Sequence, residues 1–241
     1  MPNTIILLTG STQQQRALAA LLSEHNPALS FRFALTLDDL AGIEQEVMRN
    51  ARLVSFTSGV VVPAAMLEQL GHGAYNFHPG PPHYPGWAPA HFALYENART
   101  FGATAHAMAA RVDCGPIVGV DLFAIPEAIA VRELEHLAFV RLAHLFWHMS
   151  RDLACAPAPL PALPVTWSGT RSTKRMYREL CEMPPGISAT ELTRRVRAFA
   201  DDFRGVPLTV TLDGRRFHLV EAEAREPRMA GIEAPPIAMA S

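Results

Sequence analysis

The sequence predicts an α/β fold: a Rossmann-like, mostly parallel sheet with helices on both faces, followed by a small C-terminal α+β module. Three observations carry this expectation. Short apolar, β-branched runs alternate with helix-length amphipathic segments from Thr4 to Phe123. Parallel neighbours need crossover connections, so such alternation calls for a sheet covered on both sides. A proline-rich stretch, APAPLPALP at 156–164, then separates this part from a shorter piece whose pattern gives one helix and one hairpin.

Taken in order, Thr4–Leu8 reads as a strand that ends at Thr9-Gly10-Ser11, after which Arg16, Ala17, Leu18, Leu21 and Leu22 have helical spacing. Phe31–Leu35 is the second strand and Leu37–Asn50 a polar-faced helix. Arg52–Phe56 is the third strand, Pro63–Leu70 a helix opened by proline, and Ala74–Phe77 the fourth strand. Beyond a proline-rich loop come a helix (Ala90–Asn97) and two strands (Thr104–Ala110 and Ile117–Phe123). A long helix from Val131 to Ala154 presents Leu134, Leu137, Ala138, Leu142, Leu145, Phe146, Met149 and Leu153 as one apolar stripe. After the linker, Ser188 and Glu191 form a capping box before a helix to about Phe203. Leu208–Leu212 and Arg216–Val220 flank Asp213-Gly214 as a hairpin. The expected division is 1–155 for the main domain, 156–164 for the linker, 165–224 for a docked module and 225–241 for a flexible tail.

Composition narrows the function classes. With 49% apolar and 18% charged residues the 241-residue chain can bury a full core, and Lys+Arg 21 against Asp+Glu 23 offers no basic excess for nucleic acid. No run approaches the ~18 apolar residues of a membrane span. Residues 1–11 lack the basic start of a secretory signal, and Cys114, Cys155 and Cys181 have no CxxC spacing. Reduced thiols and a cytoplasmic setting are therefore expected. Neither GxGxxG nor GxxxxGK[ST] occurs, so the glycines that cradle a pyrophosphate are missing.

The densest chemistry lies in Asn76-Phe77-His78-Pro79-Gly80-Pro81-Pro82-His83-Tyr84-Pro85-Gly86. Asn76 and His78, two apart at a strand's carboxyl end, point to one face, where ligands of such sheets bind. The alternative is a proline-rich surface turn beside a hydrogen-bonded histidine. A second cluster, Arg111-Val112-Asp113-Cys114-Gly115-Pro116, reads as a turn whose aspartate either bonds local backbone or belongs to a site. His144 and His148 share a helix face but lack a third zinc ligand, and Cys114 reads as a small buried filler. Arg171, Lys174, Arg175 and Arg178 form a basic stripe that is either a solvated face or a phosphate contact.

Asn76-x-His78, the Pro/Gly loop ending Gly86-x-Ala88-Pro89, Gly102-x-Thr104 and Asp113-x-Gly115-Pro116 together resemble the 10-formyltetrahydrofolate-dependent formyltransferases. The resemblance spans about Thr4 to Phe123, and the segment from Arg194 through Gly205 is similar to the start of the C-terminal module of several members. The HPGPP loop departs from the commoner form and resembles that of a hydrogenase-maturation formyltransferase domain. The resemblance implies 10-formyltetrahydrofolate as formyl donor, no metal, and Asn76, His78 and Asp113 as catalytic residues. A small-molecule amine, of the amino sugar or amino acid kind, is the implied acceptor. A basic insertion that would serve a tRNA acceptor is missing, and oligomeric state is unspecified. Hydrolysis of the donor, transfer to coenzyme A, or an idle folate-binding module are the alternatives.

The chemistry asks for an oxyanion donor and a proton carrier. Asn76 suits the oxygen, His78 the oxygen or the leaving nitrogen, and Asp113 can orient His78, directly or through water, and accept the amine proton, provided that burial raises its pKa. By position, the pterin is expected against Ser58, Gly59 and Val60 and the backbone of Arg111 and Val112.

Overall fold

The computed structural model describes residues 1–200 and 204–220. The main domain comprises β1 (Thr4–Thr9), α1 (Thr12–His25), β2 (Ser30–Ala34), α2 (Leu37–Ala41), α3 (Gln45–Arg49), β3 (Ala51–Phe56), α4 (Ala64–Leu67) and β4 (Ala74–His78). Then follow α5 (Pro89–Tyr95), β5 (Thr100–Ala107), β6 (Ile117–Ala124) and α6 (Val131–Cys155). The sheet order is β2-β1-β3-β4-β5-β6; pairs up to β3–β4 are parallel, and β4–β5 and β5–β6 are antiparallel.

Strand periodicity sorts the core into two layers. Ile5 and Leu7 of β1 join Leu18 and Leu22 of α1 and Leu142, Phe146 and Leu153 of α6 on one face. Ile6 and Leu8 face the other way, onto Leu40 and Met48. At the start of β3, Arg52 is fully buried, and its guanidinium donates to the carbonyls of His72, Asp152, Leu153 and Ala156. Three of these are carbonyls of the last turn of α6 and its C-cap, where a cation is favoured.

Several predicted elements are corrected. The helix expected over Leu37–Asn50 is two short ones, α2 and α3, separated by a turn at Gly42 to Glu44. Thr36 and Asp39 start α2 with a reciprocal cap, and the break lets both Leu40 and Met48 reach the core. Pro63 is the N-cap of a single turn, α4, because its extended backbone (φ −62°, ψ 146°) lies outside the helix. Strand β5 begins four residues earlier than the expected Thr104, where Thr100 pairs with Ala124, and stops at Ala107.

Segment 156–164 is extended and packs on the sheet: Leu160 is buried, its N–H donating to the Tyr75 hydroxyl at 2.8 Å, and Leu163 N–H donates to Ile117 O at 2.8 Å. The C-terminal part holds more than the expected helix and hairpin. It contains α7 (Lys174–Cys181), β7 (Glu182–Met183), α8 (Ala189–Phe199), β8 (Thr209–Leu212) and β9 (Arg215–His218). Asp213 (φ 47°) and Gly214 (φ 73°) both take left-handed backbone, the two-residue turn that matches strand twist. Ser188 caps α8, but the Glu191 carboxylate accepts from the Tyr95 hydroxyl (2.7 Å) and Arg195 (2.7 Å), tying α8 to α5. Helix α8 ends at Phe199, short of the expected Phe203. Residues 201–203 and the expected tail 225–241 lie outside the described residues. Phe199, Tyr177 and Met183 share one buried cluster with Phe92, Phe101 and Leu134.

Candidate functional site

Asn76 and His78 end β4, and the antiparallel register sets His106 opposite Asn76 and Thr104 opposite His78. All four side chains therefore share one face of the sheet. The Thr104 hydroxyl donates to Gly80 O at 2.7 Å and anchors the proline-rich loop over that face. Gly80 is required there, since a Cβ would stand 2.6 Å from His78 Nε2. The loop then returns a carbonyl to the histidine: His78 Nε2–H donates to Tyr84 O at 3.0 Å.

Asp113 arrives from the turn between β5 and β6 with left-handed backbone (φ 49°), a conformation aspartate tolerates. Its Oδ2 accepts from Gly86 N–H at 2.8 Å and lies 3.5 Å from His78 Nδ1, while Oδ1 lies 3.1 Å from His106 Nε2. His106 Nε2 is also 3.2 Å from Asn76 Nδ2. Asn76, His78 and Asp113 are thus brought together around His106. His78, Asp113 and His106 are 5%, 5% and 2% exposed.

The electrostatics correct the expected direction for Asp113. Burial pushes its pKa up, but His78, His106 and the Gly86 N–H outweigh burial and hold it at about 2. Asp113 is therefore a carboxylate at neutral pH and a weak base. Burial, opposed by Asp113 and the Tyr84 carbonyl and reinforced by His106, lowers the pKa of His78, which favours its neutral ring. With Nε2–H committed to Tyr84, the basic position of that ring is Nδ1, beside Asp113.

These groups line a cleft of about 920 Å³. Ser58, Gly59, Val60, Arg111 and Val112 line it as well. A Cβ at Gly59 would meet nothing within 4 Å, so the wall there opens onto free space. The Ser58 hydroxyl accepts from Val60 N–H at 3.2 Å. Thr57 (φ 51°) and Ala88 (φ 55°) join Asp113 as left-handed non-glycine residues on the cleft walls. Such conformations cost of order 1–3 kcal/mol each and collect at functional sites.

Of the basic stripe, Arg171 and Lys174 line the cleft, whereas exposed Arg175 pairs with Glu179 at 3.5 Å. Cys114 is exposed rather than a buried filler, its thiol donating to Arg111 O at 2.9 Å. His144 and His148 are exposed on α6, and no group of three or more His, Cys, Asp or Glu among the described residues is arranged to hold a metal. No helix among them is long and apolar enough to cross a membrane.

Two residues of this region escape the sequence reading. His106 carried a signal, because Gly102, Thr104 and His106 alternate toward one face seven residues before Asp113. Trp167 carried none. Its ring meets those of His78 and His106 nearly edge-on, at 5.9 Å and 5.0 Å between centroids, from a segment far along the chain.

Residues 43–138 match the family model described as formyl transferase. That stretch is similar to formyl transferase domains. It holds Asn76, His78 and Asp113. A methionyl-tRNA formyltransferase of Listeria welshimeri is 29% identical over 123 residues, 51% of this chain but 38% of the relative. The match thus spans well under half the length of such curated relatives. A sugar N-formyltransferase from a Shewanella species superposes with TM-score 0.73 at 16% identity, covering 92% of this chain and 99% of that one. An N-formyltransferase of Helicobacter canadensis, solved with folinic acid and dTDP-3-aminofucose, gives TM-score 0.61 at 14% identity over 89% and 85% of the two chains. At these identities the likeness is one of fold.

Proposed function

We propose that this chain is a formyltransferase that carries the formyl group of 10-formyltetrahydrofolate to the amine of a small-molecule acceptor, an amino sugar or an amino acid. The observation that carries the reading is the meeting of Asn76, His78 and Asp113, from two separated segments, on the wall of one ligand-sized cleft. The similarity to formyl transferase domains supports the reaction class, and the folinic acid and amino-sugar nucleotide of the Helicobacter enzyme support the donor and acceptor classes. Ser58, Gly59 and Val60, with the Arg111-Val112 backbone, would hold the pterin.

In the first step the amine adds to the formyl carbon, a new C–N bond forms, and the carbonyl electrons move to oxygen. The Asn76 amide N–H donates to that oxygen, a contribution of roughly 2.7–4 kcal/mol at a preorganised site. His78 Nδ1 takes the proton that the amine loses, and the Asp113 carboxylate beside it stabilises the resulting imidazolium. In the second step the bond to N10 breaks and His78 returns the proton to that nitrogen. Tetrahydrofolate and a formamide leave. Asp113 thus orients and stabilises His78 instead of taking the amine proton itself, since a carboxylate held at about 2 is too weak a base.

The test is a tetrahydrofolate-release assay with 10-formyltetrahydrofolate and a panel of amino sugars, nucleotide-linked amino sugars and amino acids. Amine-dependent release, with mass-spectrometric detection of the formamide, is expected. Release with formate and no amine would make the protein a hydrolase. Formyl-coenzyme A formed from added coenzyme A would replace the amine acceptor. Folate binding that survives His78→Ala, with no turnover by wild type, would leave only a binding module.

A further inference from the structure

Trp167 packs against the two histidines from a segment the function above does not use. Both imidazoles line the cleft, whereas the half-buried Trp167 does not, and its indole meets each ring nearly edge-on. Its two nearly perpendicular ring contacts fall on imidazoles that share the Asp113 carboxylate.

The segment carrying it is built to stay in place. Trp167 Nε1–H donates to Gly115 O at 2.9 Å, which ties the indole to the Asp113 turn. Ser168 N–H donates to Pro82 O at 3.1 Å, and the Ser168 hydroxyl lies 3.2 Å from His83 Nδ1. Ser172 N–H donates to Pro85 O at 2.9 Å, and Trp87 N–H returns a bond to Ser172 O at 3.1 Å. A Cβ on Gly169 would lie 1.6 Å from His83 O, so backbone meets backbone where the strap crosses the loop. The strap thus clamps the proline-rich loop that supplies the Tyr84 carbonyl and the turn that supplies Asp113.

We propose that Trp167 is a positioning residue that walls off the His78–Asp113–His106 group from bulk water and fixes both ring planes, so that the formyl carbon meets an amine instead of water. The consequence for reactivity rests on the formyltransferase reading; the wall itself does not. With the wall breached, water oxygen adds to the formyl carbon in place of the amine, the bond to N10 breaks, N10 takes one of the water protons and the other passes to solvent. Formate is then released with tetrahydrofolate.

The experiment uses the full chain, 15N-labelled at histidine, as wild type and as Trp167→Ala, Trp167→Leu and Trp167→Phe. Exchange of the His78 Nε2–H proton with water is measured by NMR, and circular dichroism checks folding. Slow exchange is expected in wild type, roughly tenfold or more acceleration in Trp167→Ala, and recovery in Trp167→Phe, which keeps an aromatic edge. Trp167→Leu fills volume without a ring and gives the same reading as Trp167→Ala should that variant fail to fold. Exchange as slow in the folded Ala or Leu variant as in wild type would overturn the wall. In the parallel assay with donor and amine, the ratio of formate to formamide is expected to rise roughly tenfold in the variant with accelerated exchange. An unchanged ratio beside accelerated exchange would overturn the link to water exclusion. Wild type that transfers to no amine, while exchange still responds to Trp167, would overturn the formyltransferase reading and support the wall.

Discussion

Two buried charges sit at opposite ends of the central sheet, and their surroundings differ in kind. Arg52, at the start of β3, is enclosed by four backbone carbonyls with the Tyr75 ring 5.4 Å beneath its guanidinium. Its hydrogen-bond partners are backbone carbonyls, and it does not line the cleft. Asp113, beyond the carboxyl end of β4, has two imidazoles and one backbone N–H as partners and faces the cleft. A buried charge is thus no mark of function by itself. Mobile protons beside a ligand-sized space distinguish the second cluster, and the first serves as a helix C-cap.

The sharpest way to break this comparison is to exchange the expected phenotypes. His78→Ala should lower kcat/KM by roughly 10²–10⁴-fold while the protein stays folded, as measured by amine-dependent tetrahydrofolate release and thermal melting. Arg52→Met should do the reverse. It removes the donor to four backbone carbonyls and should cost ~3–5 kcal/mol in urea unfolding, with turnover per folded molecule within about twofold of wild type. Loss of catalysis in a folded Arg52→Met protein would erase the distinction.

The acid side separates the two ends further. The Asp113 pKa of about 2 lies below its ordinary 3.8, so the stability it confers is complete above pH ~4 and is lost as pH falls through ~2. The gap in unfolding free energy between wild type and Asp113→Asn should therefore be on the order of 2 kcal/mol at pH 5 and close between pH ~4 and ~2. His78 acts at higher pH: with its folded pKa lowered, the unfolded chain protonates first as pH drops below 6.5, and stability falls from there. The smallest effect is Tyr75→Phe, which leaves the Leu160 N–H without its 2.8 Å partner beside Arg52. It should cost about 1 kcal/mol with no change in turnover, read from urea titration and the same assay.

The same contrast explains what the sequence made legible. Strands β1, β3 and β4 stood out because buried runs such as Ile5 to Leu8 need no distant partner to be recognised. Asn76 and His78 were visible through strand alternation. The register that sets His106 against Asn76 is a pairing between strands, and only a folded chain contains it. The protonation state of Asp113 is not legible in the sequence, because burial can be inferred locally whereas His78, His106 and the Gly86 N–H, which together outweigh it, come from other segments. Trp167 lay hidden for the same reason, and the Leu37–Asn50 pattern masked a break at Gly42 because both halves keep helical spacing.

The location of the formyl group decides most directly whether Asn76, His78 and Asp113 act on one carbon. A crystal structure with 5-formyltetrahydrofolate, a stable isomer of the donor, should place the pterin against Ser58, Gly59 and Val60, with the formyl oxygen within ~3.2 Å of the Asn76 amide and the formyl group facing His78. A pterin seated elsewhere, or a formyl group turned to solvent with neither side chain in reach, would contradict it.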